Sequence, residues 1–333
     1  MVSMKDIARR CGVSVATVSK ALNGLPDIGE ETRQRITAAA AEMGYMANSA
    51  ARALKTKRTY NLGVLFVDER RSGLSHEYFS SILEGFKQEA EAHGYDITFI
   101  NSNVGAQPIS YLRHCKYRGL DGVLVACVDF NDPRVLELVE GPIPVVTIDH
   151  VFPGHAAILS DNVDGLEALV HHAYEKGHRR IAFLHGENTA VTRGRLTGFY
   201  KACAELCIEV PPEYVIPCVY HDPDRCEAAT RRLLQLPQRP TCVIFPDDFS
   251  FLGGYNAILE AGLRMPEDIS ALGYDGINLA RVMHLATYTQ NAMTIGRTSA
   301  QKLIELVEDP QTPPSEPILI HGGLMEGNSI KAL

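Results

Sequence analysis

The chain has 333 residues, 45% of them hydrophobic and 22% charged, with 27 Gly and 18 Pro, which excludes collagen-like and low-complexity chains and allows two or three domains with cores of their own. No apolar run approaches the ~20 residues of a membrane helix, the N-terminus lacks the apolar core of a signal peptide, and the eight Cys are scattered without a C-x-x-C pair, so neither a disulfide framework nor a zinc site is expected and the cytoplasm is the expected compartment. The net charge of -8 hides an asymmetry: residues 1–58 carry ten Lys/Arg and five acids, a balance of +5, while the remainder stands at -13, the pattern of a nucleic-acid-binding head joined to an acidic body with another task.

The head reads as three short helices. Ser3 with Asp6 forms a capping-box-like start, Ile7 and Ala8 supply an apolar face, and Gly12 breaks the helix. Ser14 caps a second helix, Val15 to Leu22, which ends at Asn23-Gly24. A third runs from Glu30 to Met43, with Ile36, Ala39, Ala40 and Met43 on one stripe and Gly44 as its stop. Residues 48–57 are helix-compatible but too short and polar to hold a fold alone.

From Tyr60 short apolar runs alternate with helical stretches: Leu62–Val67, Ser80–His93, Ile97–Ile100, Gly122–Val128 and Val145–Ile148. The pattern begins again at Ile181–Leu184, Val215–Ile216, Cys242–Phe245 and Ile269–Tyr274. Near-continuous Val/Ile/Leu strands between helices imply parallel sheets covered on both faces. The expected fold is therefore a small all-α helix-turn-helix head on an α/β body of two doubly wound parallel-sheet lobes. A ligand is expected in the cleft beyond the carboxyl ends of the strands.

Ala8, Gly12, Val18 and Ala21 meet the needs of a helix-turn-helix: a small residue at the crossing, Gly at the turn, and apolar residues where the second helix docks. On that helix Val15, Ala16 and Lys20 project outward, as side chains must to reach base edges in the major groove. The short hydroxyls of Ser14, Thr17 and Ser19 suit phosphate oxygens.

The segments Met4-Lys5-Asp6-Ile7-Ala8 and Val13-Ser14-Val15-Ala16-Thr17-Val18-Ser19-Lys20-Ala21-Leu22-Asn23-Gly24 resemble the head of the lactose-repressor (LacI) family of transcription regulators. The resemblance continues through Gly44-Tyr45, Ala51-Arg52-Ala53-Leu54, Gly177-His178-Arg179-Arg180, Arg195-Leu196-Thr197-Gly198-Phe199, Pro266-Glu267-Asp268-Ile269-Ser270 and Gly273-Tyr274-Asp275. It implies a helix-turn-helix domain at 1–47, a hinge helix at 48–59 and a two-lobed, periplasmic-binding-protein-like body at 60–333. Lobe 1 is expected at about 60–160 plus 290–315, and lobe 2 at about 161–289 plus 316–333. Asn23 joins the phosphate set. Ala51, Leu54 and Lys55 are the minor-groove hinge, with Leu54 as the wedge between bases. The chain departs from the family at Ala47, where members usually carry Pro.

In the body, Arg195 and Asp275 are read as lying at strand ends facing the cleft, where a guanidinium fork and a carboxylate satisfy hydroxyls or ring nitrogens. The matching family residues contact the effector; the same pair is also compatible with a structural salt bridge. Tyr78 and Phe79 match the aromatic position opening the first core helix, although aromatics at helical spacing also build cores. Asp149 and Asp248 follow strands, and His221 lies near a matching loop. His171, His172 and His178 do not share a helical face, so no metal is expected. No nucleotide, hydrolase or metalloprotease motif is present, so neither catalytic residues nor a cofactor are expected.

The expectation is a DNA-binding regulator, a repressor by resemblance, acting as a homodimer on a pseudo-palindromic duplex operator. A small effector in the cleft sets its affinity, a sugar or sugar derivative before a nucleobase. Without leucine heptads after the body, the tetramerising tail of some members is not expected. Two other classes compete: an enzyme with a helical cap, disfavoured by missing catalytic motifs, and a transporter's solute-binding protein, disfavoured by the basic head.

Overall fold

A computed structural model describes residues 2–22, 24–45, 58–67, 73–313 and 316–333. Asn23, Ala47, Ala51, Leu54 and Lys55 lie outside the described residues. Contacts divide the chain into two units, 1–59 and 60–333.

The first unit holds α1 (Met4–Cys11), α2 (Val15–Leu22) and α3 (Glu30–Glu42). At the start of α1 the Ser3 N–H donates to Asp6 Oδ2 at 3.0 Å and its hydroxyl to the same oxygen at 2.7 Å. Gly12 ends α1 at φ 64°, a left-handed conformation in which a Cβ is strained. The Thr17 N–H donates to Ser14 Oγ at 3.0 Å, capping α2. Ile7, Ala8, Val18, Ala21, Ile36, Ala39 and Ala40 form the core. The alanines let three short helices approach closely enough for Ile7, Val18 and Ile36 to be fully enclosed.

In the second unit the described residues form two six-stranded sheets and one two-stranded ribbon. In chain order its elements are β1 (Asn61–Phe66), α4 (Glu77–Ala92), β2 (Asp96–Phe99), β3 (Asn103–Val104), β4 (Gln107–Pro108), α5 (Tyr111–Arg118), β5 (Gly122–Ala126), α6 (Pro133–Val139), β6 (Val145–Ile148) and β7 (Ala156–Ser160). There follow α7 (Asn162–Glu175), β8 (Ile181–His185), α8 (Ala190–Glu205), β9 (Val215–Pro217), α9 (Pro223–Leu234), β10 (Cys242–Ile244), α10 (Phe251–Glu260), β11 (Ser270–Asp275), α11 (Asn278–Val282) and β12 (Ala286–Thr289). The chain ends with α12 (Ala292–Glu308), β13 (Ile318–Ile320) and β14 (Gly323–Met325).

The first sheet has the order β13-β7-β6-β5-β1-β2 and is parallel throughout. The second has the order β14-β12-β11-β10-β8-β9 and is parallel except for β14. The central strands are buried on both faces. On β1, Leu62 and Val64 pack towards Ile82 and Phe86 of α4, while Leu65 joins the opposite core with Val123 and Leu138. Period-two alternation between two cores explains the continuous apolar runs.

The lobe boundary near the C-terminus differs from expectation. Ile318–Ile320, assigned with the second lobe, pairs parallel with β7 in the first sheet, Ile318 opposite Ile158. Its backbone completes the open edge of β7, and the chain returns to the second sheet only at Gly323. The sheets are thus joined at three places: around Asp161, between β12 and α12, and at His321-Gly322.

Candidate functional site

In the first sheet the chain reverses direction of winding between β1 and β5, and in the second between β8 and β10. Loops diverge at such points and leave a crevice beyond the strand ends. The two crevices share one cavity of about 650 Å3. Tyr78, Phe79, Asp149, Arg195, His221 and Asp275 line it.

Arg195 does not follow a strand end directly, as expected, but sits inside α8. The helix begins there because Thr189 Oγ1 accepts from the Thr192 N–H at 3.2 Å. Arg195 is then carried on its buried face and is 4% exposed. Nε donates to Asn162 Oδ1 at 2.8 Å and Nη1 to the Pro246 carbonyl at 2.6 Å. The guanidinium lies 3.6 Å from the centre of the Tyr274 ring, a cation–π contact out of water. Nη2 is 3.9 Å from Asp275 Oδ1.

Asp275 ends β11 with φ 109°, a rare conformation for a residue with a Cβ. Gln290 Nε2 donates to its Oδ1 at 2.6 Å. Burial pushes its carboxyl well above the usual carboxylate range, with the Arg195 charge opposing. Asp149, also at positive φ (55°), accepts from the Ser160 N–H at 2.7 Å and from its hydroxyl at 3.3 Å. Burial raises its carboxyl too, against those two bonds.

Tyr78 Oη lies 3.1 Å from Ser160 Oγ and donates to Gln290 Oε1 at 3.4 Å. Phe79 packs edge-on to His76 at 4.9 Å and against Phe66 at 5.5 Å, leaving part of its ring towards the cavity. His221 stacks on His76 at 4.2 Å and on Phe249 at 4.0 Å. Because His76 precedes α4 and His221 follows β9, that stack joins the two lobes across the cleft.

Asp248 is a correction. It is fully buried away from the cavity. The N–H groups of Gly276 and Ile277 donate to its Oδ2 at 2.7 and 3.0 Å, and the Thr287 hydroxyl to its Oδ1 at 2.6 Å. It braces the turn after β11. Its neighbour Asp247 lines the cavity instead, accepting from the His221 N–H at 2.8 Å and the Ser250 N–H at 2.7 Å. Successive residues leaving a strand point to opposite sides, so a one-residue choice between two adjacent acids decides between site and scaffold.

Several lining residues escaped the sequence reading. Tyr220 holds Thr192 Oγ1 at 2.8 Å and lies under the Arg195 guanidinium, 5.2 Å from its ring centre. Gln290 links Tyr78 to Asp275 but follows β12, a strand that the sequence did not reveal. Asp129 and Phe130 follow β5, and the rule used for Asp149 would have found them. Phe130 stacks on His150 at 4.1 Å with 6° between planes, forming an aromatic platform.

Among the described residues one group, Asp161, Asp164 and His321, brings metal-ligating atoms within 4.8 Å of one another. Asp161 accepts from the Asp164 N–H at 3.0 Å as the cap of α7 and lies 3.0 Å from His321 Nδ1. A helix cap and the Asp161–His321 contact account for the grouping. His178 is buried, with Nδ1 2.9 Å from Thr241 Oγ1 and Nε2 3.1 Å from the Lys331 carbonyl, a structural role.

On the head, Val15 is 41% exposed and Ala16 and Lys20 are exposed beside it. Lys20 Nζ is ion-paired with Asp27. Ser14 Oγ and Thr17 Oγ1 lie 2.8 Å apart, so these two hydroxyls already serve the cap of α2. Ser19 is half-buried. A small apolar surface flanked by hydroxyls and a cation matches thymine methyl groups, phosphates and base acceptors.

Known proteins resemble the chain over its whole length. Residues 3–48 match the family described as bacterial regulatory proteins, lacI family, and residues 59–321 match periplasmic binding proteins and sugar binding domain of LacI family. The HTH-type transcriptional repressor PurR of Escherichia coli O139:H28 is 31% identical, the alignment covering 99% of this chain and 97% of the relative. Among solved structures, the lac repressor dimer bound to operator and the anti-inducer ONPF superposes with a TM-score of 0.81 at 25% identity, covering 99% of both chains. A LacI family transcriptional regulator from Enterococcus faecium with bound ribose gives 0.69 at 25% identity, covering 82% of this chain and 99% of its own.

Proposed function

Since the chain belongs to the lacI family of bacterial regulatory proteins and is therefore a DNA-binding transcriptional regulator, we propose that it represses its targets as a homodimer and that a sugar or sugar derivative in the cleft sets its operator affinity. The reading assigns binding rather than catalysis and places its action on DNA in the cytoplasm. Among the described residues no helix is long and apolar enough to cross a membrane.

The observation that carries the effector reading is the composition of the cavity. Half-buried Asp149 and buried Asp275 offer acceptors, Arg195 and Gln290 offer donors, and Phe79 and the Phe130–His150 pair offer flat surfaces. Hydroxyls arrayed on a ring with apolar faces satisfy such a set. The ribose bound to the Enterococcus faecium neighbour supports this class. Both lobes contribute, so a ligand touching Asp149 and Asp275 together favours the closed body.

On DNA, α2 reads the major groove through Val15, Ala16 and Lys20, with Ser14, Thr17, Ser19 and Asn23 near phosphates. Ala51, Leu54 and Lys55 keep the minor-groove role that the family resemblance implies. Two heads related by a two-fold axis call for a pseudo-palindromic site.

Selection of a duplex by the full chain from a random-sequence pool tests the first half. Recovery of an inverted repeat is the expected result, and no enrichment over input sinks it. Titration calorimetry with a panel of pentoses, hexoses and disaccharides tests the second. At least one should bind and change affinity for the selected duplex.

A further inference from the structure

A carboxylate shares the surface from which α2 presents Lys20. Asp27, in the turn between α2 and α3, pairs its Oδ2 with Lys20 Nζ, and the two side chains are 50% and 47% exposed. The Asp27 carboxylate therefore lies at the ammonium that Lys20 would present to DNA. The turn that carries it is held from both sides. The Leu25 N–H donates to the Lys20 carbonyl at 3.1 Å, and Arg33 Nη2 of α3 donates to the Leu25 carbonyl at 3.0 Å. Three other acids of the head pair elsewhere: Asp6 with Ser3 and Arg9, Glu42 with Arg10, Glu30 with Arg33 and Gln34.

An exposed ion pair adds little to folding stability. On a surface that meets polyanionic DNA, a carboxylate is also unfavourable, because it repels phosphates and cancels a nearby cation. Its effect is different at a base edge. An ammonium has three N–H donors, so one can stay on Asp27 while two reach the O6 and N7 acceptors of a guanine. A tethered Lys20 cannot swing to the nearest phosphate. It recovers full hydrogen bonding only where a base offers acceptors in the right place, and wrong sequences meet the carboxylate without that compensation.

We propose that Asp27 is a specificity-determining residue of the head, holding Lys20 for the base edge and withholding its charge from the phosphate backbone. The inference rests on the reading of α2 as the base-reading helix.

The test uses the full-length chain and two fluorescent duplexes: one selected by the wild-type chain from a random pool, and a scrambled duplex of equal composition. Affinities are measured between 50 and 200 mM KCl for wild type, Asp27→Asn, Asp27→Ser, Lys20→Met and the Asp27→Asn/Lys20→Met double variant. Releasing one cation per head, two per dimer, towards phosphate should steepen the salt dependence on scrambled DNA by about two units of log K per log salt. Asp27→Asn and Asp27→Ser should therefore bind scrambled DNA more tightly, and the ratio of selected to scrambled affinity should fall about tenfold, within the discrimination of one base contact. In the Lys20→Met background Asp27→Asn should strengthen binding to both duplexes equally, through lost carboxylate repulsion, and leave the ratio of selected to scrambled affinity unchanged.

An unchanged ratio and salt slope in both Asp27 variants overturns the proposal. So does an equal fall in the ratio with Lys20 absent, or a loss confined to the selected duplex, which makes Asp27 a direct base contact. If the wild-type chain selects no sequence, the reading of α2 fails first and the proposal with it; that outcome is separate from normal selection with inert Asp27 variants.

Discussion

The Arg195 guanidinium and the Asp275 carboxylate face each other at 3.9 Å, within ion-pair range but beyond hydrogen-bond range. Each is held by something else, Arg195 by Asn162 and the Pro246 carbonyl, Asp275 by Gln290. The pair is therefore positioned without being consumed by itself. That is the arrangement needed if a ligand hydroxyl is to bridge the two.

This geometry predicts different consequences for the two members. Asp275→Asn keeps an acceptor for Gln290 and replaces a carboxyl whose burial already favours its neutral form. Its thermal midpoint should stay near that of the wild type. The midpoint shift produced by whichever sugar binds the wild type should disappear. Arg195→Ala strands Asn162 and the Pro246 carbonyl and removes the charge facing Asp275. Breaking a buried charged network by one partner costs ~3–5 kcal/mol, so this variant should be visibly destabilised in urea. Equal stability losses in both variants would mean that Asp275 is scaffold.

Asp248 makes the body sensitive to pH. Burial pushes its carboxyl up to about 7, against bonds from Thr287, Ile277 and Gly276. A folded pKa above the unfolded value, 3.8, means that the folded chain holds the proton more tightly. The associated stability is fully present below the unfolded pKa and is lost as pH rises through about 7. Buried histidines such as His178, held neutral by burial, act with the opposite sign. The difference between wild type and Asp248→Asn isolates the carboxyl. Urea midpoints at pH 5, 6, 7 and 8 should show the wild type losing ground to the variant as pH rises. A constant gap between them is the contrary result.

Gly296 tests the packing beneath the cleft. A Cβ there would stand 2.0 Å from the Ile82 carbonyl oxygen, where α12 crosses α4. Backbone cannot yield as a side-chain end can, and overpacking costs ~1–3 kcal/mol or more. Gly296→Ala should lower the denaturation midpoint of the body by at least that range while its far-UV spectrum stays native at low denaturant. A midpoint equal to the wild type would contradict so close a crossing.

In the head, Ser14 and Val15 separate folding from recognition. Ser14→Ala removes the acceptor for the Thr17 N–H, a cap worth ~0.5–2 kcal/mol. Val15 is 41% exposed, so Val15→Ala should change stability by less than ~0.5 kcal/mol. Melting of residues 1–59 followed by helix-specific amide protection should show this contrast. Val15→Ala should nevertheless weaken binding to the selected duplex more than to scrambled DNA. Equal weakening on both would remove Val15 from base reading.

The amino-acid order by itself determined the elements whose signals are local. The head was legible in Ser3, Gly12 and Ser14, which act on their own backbone, and in the small residues where three helices must touch. The interior strands, β1, β5, β6, β8 and β10, were legible because burial on both faces demands unbroken apolar runs. β7, β12, β13 and β14 were not. Ala156–Ser160 and Ala286–Thr289 carry alanine, threonine and serine, and Ile318–Ile320 is three residues long; pairing with a neighbour defines them as strands. Only the tertiary structure decided which of two adjacent acids enters the cleft. Asp247 and Asp248 are equivalent as residue types, and the direction of a side chain leaving a strand depends on the register set by partners far along the chain. The same holds for Arg195, carried on a helix, and for Gln290 and Tyr220. Long-range packing of two sheets gathers them, and no spacing in the sequence records that distance.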